Sequence, residues 1–338
     1  MKRALALVVF LLAGTLIASA APADVTYTEG DATLKLKTGA QQDVQIGDTM
    51  NTGDTLRTGS DGLAELDQKG VTIKISHGTV FTLMEKSQSG QTSTVLSVAL
   101  GSIKFRYDKL TGSEPQIRTN GAVAGVRGTE FTVFSGADGS TLFAVDSGQV
   151  TVESEGKTVE LAASQGVEVP LGKTPGDVIP LRSDQIDYSK WNEEKLASML
   201  ADPVASMVSI RGVMEEYIKG ETDYYDQYVA SQAQLEQALE THNQILHDKG
   251  ADEAKKYQEE VFLPLTVQTS HLVLNYRYYS LAALSLRRFI AGRMYVSLKA
   301  KYITNQDAPE WKDFLARFET FMSTFEQSIV PQLVDADI

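Results

Sequence analysis

The feature that most restricts this chain is a change of periodicity near Pro180. Before it, short runs alternate apolar and polar residues and are punctuated by glycine. After it, glycine nearly disappears, and Leu, Met, Tyr, Glu and Gln recur every three or four residues. Val71-Thr72-Ile73-Lys74-Ile75, Ile103-Lys104-Phe105-Arg106-Tyr107 and Val150-Thr151-Val152 have the period of two that marks half-buried strands. The later spacing belongs to helices. The fold class expected is therefore multidomain, β then α.

Within the β half a glycine repeatedly opens a strand, at Gly62, Gly70 and Gly78 and again at Gly101, Gly148 and Gly166. Glycine corners let strands of similar length stack coil upon coil. Later spacings lengthen, so the expectation is a solenoid-like all-β architecture, or a sandwich with excursions. Gly172, Pro175, Gly176 and Pro180 then mark a linker over residues 173–183.

Residues 184–335 read as an antiparallel bundle of four or five helices. Asp307-Ala308-Pro309-Glu310 is a helix start, with a side-chain cap, an early proline and a first-turn glutamate. Trp311, Phe314, Leu315, Phe318, Phe321, Met322, Phe325 and Ile329 follow as one apolar stripe, which is core rather than ligand surface. Tyr224, Tyr225, Tyr228, Leu235, Leu239 and Leu246 mark another helix that ends near Gly250. Pro264 is expected to kink or break the segment that follows.

The first twenty residues have the form of a secretory signal: Lys2 and Arg3, an apolar stretch over 5–17, then Ala18-Ser19-Ala20 before a cut. With residues 1–20 removed, residues 21–172 form the β domain. The expected location is periplasmic or secreted, with no integral membrane segment after cleavage; retention of the signal as an anchor is the other reading. The chain has no cysteine, which excludes a disulfide framework, thiol chemistry and a lipid-carrying cysteine. With a net charge of -13 and an excess of acids in both halves, it lacks the cationic face that nucleic acid requires.

Two stretches carry a family resemblance. One runs from Gly47-Asp48 through Gly53-Asp54-Thr55-Leu56-Arg57-Thr58-Gly59 to Gly62. The other is Val126-Arg127-Gly128-Thr129-Glu130-Phe131-Thr132-Val133, followed by Gly148-Gln149-Val150 and a closing turn at Gly166. Over residues 25–172 they resemble the FecR domain. The resemblance implies a periplasmic interaction module from a cell-surface signalling system. In the archetypal plan a segment that binds a sigma factor precedes a membrane helix. Here the sequence opens on an export signal, so control of a sigma factor and a role in iron uptake are not carried over. Arg127, Gly128, Thr129, Glu130 and Phe131 are the motif residues, read as mainly structural, with an Arg127–Glu130 pair across the turn.

No catalytic frame is apparent. His242 and His247 would lie about 140° apart around a helix, so they do not make a metal pair. No nucleophile elbow, phosphate-cradling loop or dinucleotide fingerprint occurs, and no cofactor is expected. Residues 261–306 contain no Asp or Glu but six cations. Two readings stay open: these cations offset the acids of residues 215–260 across a helix pair, or Arg277, Tyr278, Tyr279, Arg287 and Arg288 form a site for an anionic ligand such as an acidic glycan. The function expected is a non-enzymatic docking protein for protein or cell-envelope partners. The alternatives are a signalling accessory and a carbohydrate-binding or carbohydrate-active protein.

Overall fold

The computed structural model describes residues 21–88, 91–107 and 115–335, with only the backbone of Gln88, Arg127, Val334 and Asp335. The export signal expected over residues 1–20 lies outside the described residues.

The strands are β1 (Ala23–Glu29), β2 (Ala32–Lys35), β3 (Gln41–Asp43), β4 (Thr49–Met50), β5 (Thr55–Thr58), β6 (Leu63–Gln68), β7 (Val71–Ile75) and β8 (Val80–Gln88). They continue with β9 (Gln91–Tyr107), β10 (Gln116–Thr119), β11 (Val123–Ser135), β12 (Thr141–Ser154), β13 (Lys157–Ala162), β14 (Gln165–Val169) and β15 (Ile179–Pro180). Three long strands organise the rest. The first half of β9 pairs with β8 and the second with β7. The second half of β11 pairs with β9, and β12 follows β11 along its whole length. Two layers therefore share β9, β11 and β12, which bend from one layer into the other. Phe81, Phe105, Phe131, Phe143, Leu34, Met50 and Leu56, drawn from both layers, are fully buried in one core.

This arrangement corrects the solenoid expectation. The pairings are antiparallel apart from β9 with β10, and the result is a partly closed barrel rather than a coil. Of the glycines, Gly70 makes a hairpin corner between β6 and β7, while Gly78 lies in the connection from β7 to β8, which pair with other strands rather than with each other. Glycines in the long strands make bends, which residue spacing alone does not distinguish from solenoid corners. At the β9 bend, Gly101 has φ +107° and an added Cβ would fall 2.2 Å from Thr79 Oγ1. No other residue fits there.

The second half also departs from its expectation. Helix α1 (Tyr188–Ala201) is capped by Asp187, which accepts from the Lys190 amide at 3.2 Å. Helix α2 (Pro203–Lys249) has Asp202 as its cap and Pro203 at its first turn. Its 47 residues rise roughly 70 Å. After Gly250 the chain returns as α3 (Ala251–Tyr257), a π turn (Gln258–Phe262), α4 (Leu263–Ser285), a second π turn (Leu286–Ala291) and α5 (Gly292–Lys301). Pro264 does not break this rod. The wider π turn just before it relieves the clash between the proline ring and the preceding turn.

The two arms run antiparallel: Ser231 meets Thr269 at 2.6 Å, and the Tyr228 and Tyr276 rings lie 5.2 Å apart. Helices α6 (Pro309–Ser328) and α7 (Val330–Asp335) and α1 pack at the base of this long hairpin, where Trp311, Phe314, Phe321 and Phe325 are buried. The domain is thus a helical hairpin with short helices at one end, not a bundle of four or five comparable helices. Helix α6 starts where expected, but Asp307 does not cap it and instead pairs with Lys312 at 2.7 Å.

Residues 173–183 lie along the sheet edge. The Gly176 amide donates to the Glu168 carbonyl at 3.0 Å, and β15 pairs with β14. Ser183 Oγ donates to Asp146 at 2.7 Å.

Candidate functional site

The motif residues form the bend shared by β11 and β12. Between Arg127 and Glu130 the register against β12 slips, as at a β-bulge. Across from it Gly148 has φ +79°, and a Cβ there would fall 2.5 Å from Thr129 Cγ2 and 2.6 Å from the Gly128 carbonyl oxygen. Phe131 is fully buried and stacks on Phe105 with centroids 5.2 Å apart. Thr129 is buried. Glu130 pairs with Lys104 at 2.6 Å, and Lys104 reaches Asp146 at 3.1 Å. Burial alone would raise the Asp146 carboxyl, but hydrogen bonds from Ser183 and Lys104 hold it below the usual range. The expected Arg127–Glu130 pair involves a side chain outside the described residues.

The anionic-ligand patch is divided by the fold. Arg287 turns toward the helical core, with its guanidinium 5.1 Å from the Phe325 ring centroid. Tyr278 and Tyr279 face the sheet on one side of α4, while Arg277 and Arg288 line a cavity on another. The other reading sets these cations against the acids of residues 215–260 on the paired helix. Among the described residues no ion pair within 4.0 Å joins the two groups. Tyrosines fill the seam instead: Tyr224 stacks on Tyr279 at 6.0 Å and Tyr225 meets Tyr276 edge-on at 5.5 Å.

Both arms of the helical hairpin are fastened to the sheet by buried and half-buried polar contacts. The Ser87 amide donates to Asn275 Oδ1 at 2.8 Å, and Ser87 Oγ lies 2.8 Å from His271 Nδ1. Tyr217 OH donates to the Asn120 carbonyl at 3.2 Å, and Asn120 Nδ2 donates to the Ala99 carbonyl at 2.9 Å. Arg118 is 5% exposed, with its guanidinium 4.8 Å from the Tyr217 centroid and 4.5 Å from that of Tyr278. Burial works against its charge, and the neighbouring tyrosines outweigh that effect. Lys86, 4.8 Å from the Tyr278 centroid, is lowered by burial and then by Arg118.

Two cavities open along this junction. The larger, about 510 Å³, has walls of mixed sign: Lys86 and Arg118 face Glu153, Glu155 and Glu216. The smaller, about 110 Å³, is lined by Lys35, Lys37 and Arg57 from the β domain and by Arg277 and Arg288 from the return rod, with no carboxylate in its wall among the described residues. Arg57 lies 5.0 Å from the Phe289 centroid. Burial, and next the Arg288 charge, lower its pKa. Sequence reasoning found Arg277 and Arg288 but missed Lys35, Lys37 and Arg57. The signal that unites them is the pairing of β2 with β5, which sets Thr33 opposite Arg57. Among the described residues no cluster of three or more His, Asp or Glu could hold a metal ion.

Of the bent strands β9, β11 and β12, β11 holds residues 126–133, the stretch that resembles the FecR domain. Residues 54–151, from the start of β5 into β12, match the family described as FecR protein. The helical region lies beyond the match. Two crystal structures from Parabacteroides distasonis, provisionally described as an anti-sigma factor, are similar to this chain. One has 16% identity and a TM-score of 0.33, covering 40% of this chain and 63% of its own. The other has 15% identity and a TM-score of 0.32, covering 38% and 59%. This chain therefore spans less than two thirds of either structure. No curated protein matches it.

Proposed function

We propose that this protein is an exported, non-enzymatic accessory of cell-surface signalling, in which the FecR-type domain docks a protein partner of the envelope. The observation that carries the reading is the FecR-family match over the bent strands. The buried Ser87–Asn275 contact and the half-buried Ser87–His271 contact support a second element of the proposal: they couple α4 to β8, so a partner held by the sheet also bears on the hairpin.

Photo-crosslinking in intact envelopes tests this reading. A crosslinking residue is placed at exposed Thr26 or Asp67 on the sheet, or at Gln244 on α2. The expected result is one discrete protein adduct from the sheet positions, on a mature chain that begins at Ala21. Adducts absent at every position, together with cleavage of envelope polysaccharide by the purified protein, would overturn the reading.

A further inference from the structure

We propose that the smaller junction cavity is a binding site for an oxyanion group, phosphate or carboxylate, held jointly by Arg57 of the sheet and by Arg277 and Arg288 of the return rod. The inference stands independently of the docking reading. Five cations converge there from two halves of the chain and, among the described residues, no acidic side chain lines the wall, in a protein whose net charge is -13. Like charges gathered without a counter-charge repel one another; the Arg57 guanidinium, disfavoured first by burial, is disfavoured further by the Arg288 charge. Such repulsion is relieved when an anion enters.

The chemistry of the wall suits that guest. Guanidinium groups present a planar fork of donors that matches carboxylate and phosphate oxygens, and Arg57 is held over the Phe289 ring. Lys35 and Lys37 add mobile point charges at the rim, where both are exposed. Thr33, Thr55 and Thr82 supply hydroxyls, with Thr55 Oγ1 and Thr82 Oγ1 bonded to each other at 2.9 Å. A volume of about 110 Å³ has room for several waters, which suits one oxyanion group rather than a whole polymer. Because the cations come from both halves, occupancy would fasten the sheet to the return rod and raise the stability of the whole.

The test is calorimetric titration of the full exported chain at low ionic strength with two probes, inorganic pyrophosphate and digalacturonate. The variants are Arg57→Gln, Arg277→Gln and Lys35→Gln. The control is Lys190→Gln, an exposed cation of α1 outside the cavity wall. The expected result is one site per chain, weakened about tenfold or more by each arginine substitution, as loss of a charge-assisted bond implies, and unchanged in the control. Circular dichroism confirms that each variant is folded, and exposed Lys35 keeps the test valid should an arginine variant unfold. Binding of pyrophosphate alone assigns the group to a phosphate source, and binding of digalacturonate alone to an acidic saccharide. No saturable binding up to ~10 mM, or equal weakening by the control and the cavity variants, would overturn the proposal.

Discussion

Glu221 offers the most quantitative check on the packing of the helical hairpin. It lies on α2 with none of its surface exposed, and among the described residues neither carboxylate oxygen has a hydrogen-bond partner. Burial, and then the Asp226 charge, raise its pKa from the ordinary 4.5 to about 8. The folded protein therefore keeps this proton over a pH range in which the unfolded chain has released it. Stability contributed by the protonated form is fully present below about pH 4.5 and is lost as pH rises toward 8, at about 1.4 kcal/mol per unit. Between about pH 5 and about pH 8 the loss comes to roughly 3–4 kcal/mol. Glu221→Gln keeps the shape and removes the titration. Urea unfolding of both proteins across that range, with all four histidines present in each, should show the wild type falling by this amount relative to the variant. Parallel stability curves for the two proteins would refute the buried, unpaired carboxyl.

Three further outcomes follow from the sheet and its junction. Gly148→Ala forces a side chain onto Thr129 and the Gly128 carbonyl at φ +79°, and should cost about 2–5 kcal/mol in chemical denaturation. Phe131→Ala removes a fully buried ring stacked on Phe105, and should cost about 3–5 kcal/mol; a cost below about 1 kcal/mol would mean the motif is not core. Asn275→Leu leaves the buried Ser87 amide without its acceptor and should cost about 1–3 kcal/mol. Amide exchange at Ser87 should speed up accordingly, whereas unchanged exchange would remove this contact from the junction.

Periodicity carried much of the architecture. The alternation at residues 71–75 and 103–107 falls on β7 and β9, and these strands pair with each other. The stripe from Trp311 to Ile329 is the buried face of α6 and its end. What failed did so because the deciding contact was remote in sequence. A glycine at a hairpin corner and a glycine at a strand bend look alike until the partner strand is known, so Gly101 and Gly148 suggested coils. Pro264 breaks a regular α-turn, but a π turn is not legible from residue types. The cationic patch was seen from one side only: Arg277 and Arg288 stand out in an acid-free run, while Lys35, Lys37 and Arg57 join them through β2–β5 pairing. Arg118 and Lys86, which meet the tyrosines of the hairpin, have no local pattern that marks them.

Differential scanning calorimetry of the full chain bears most directly on the claim that sheet and hairpin act as one unit. The junction described above predicts a single transition whose calorimetric and van't Hoff enthalpies agree. Two resolved transitions, one surviving unchanged when Asn275 is replaced, would contradict it.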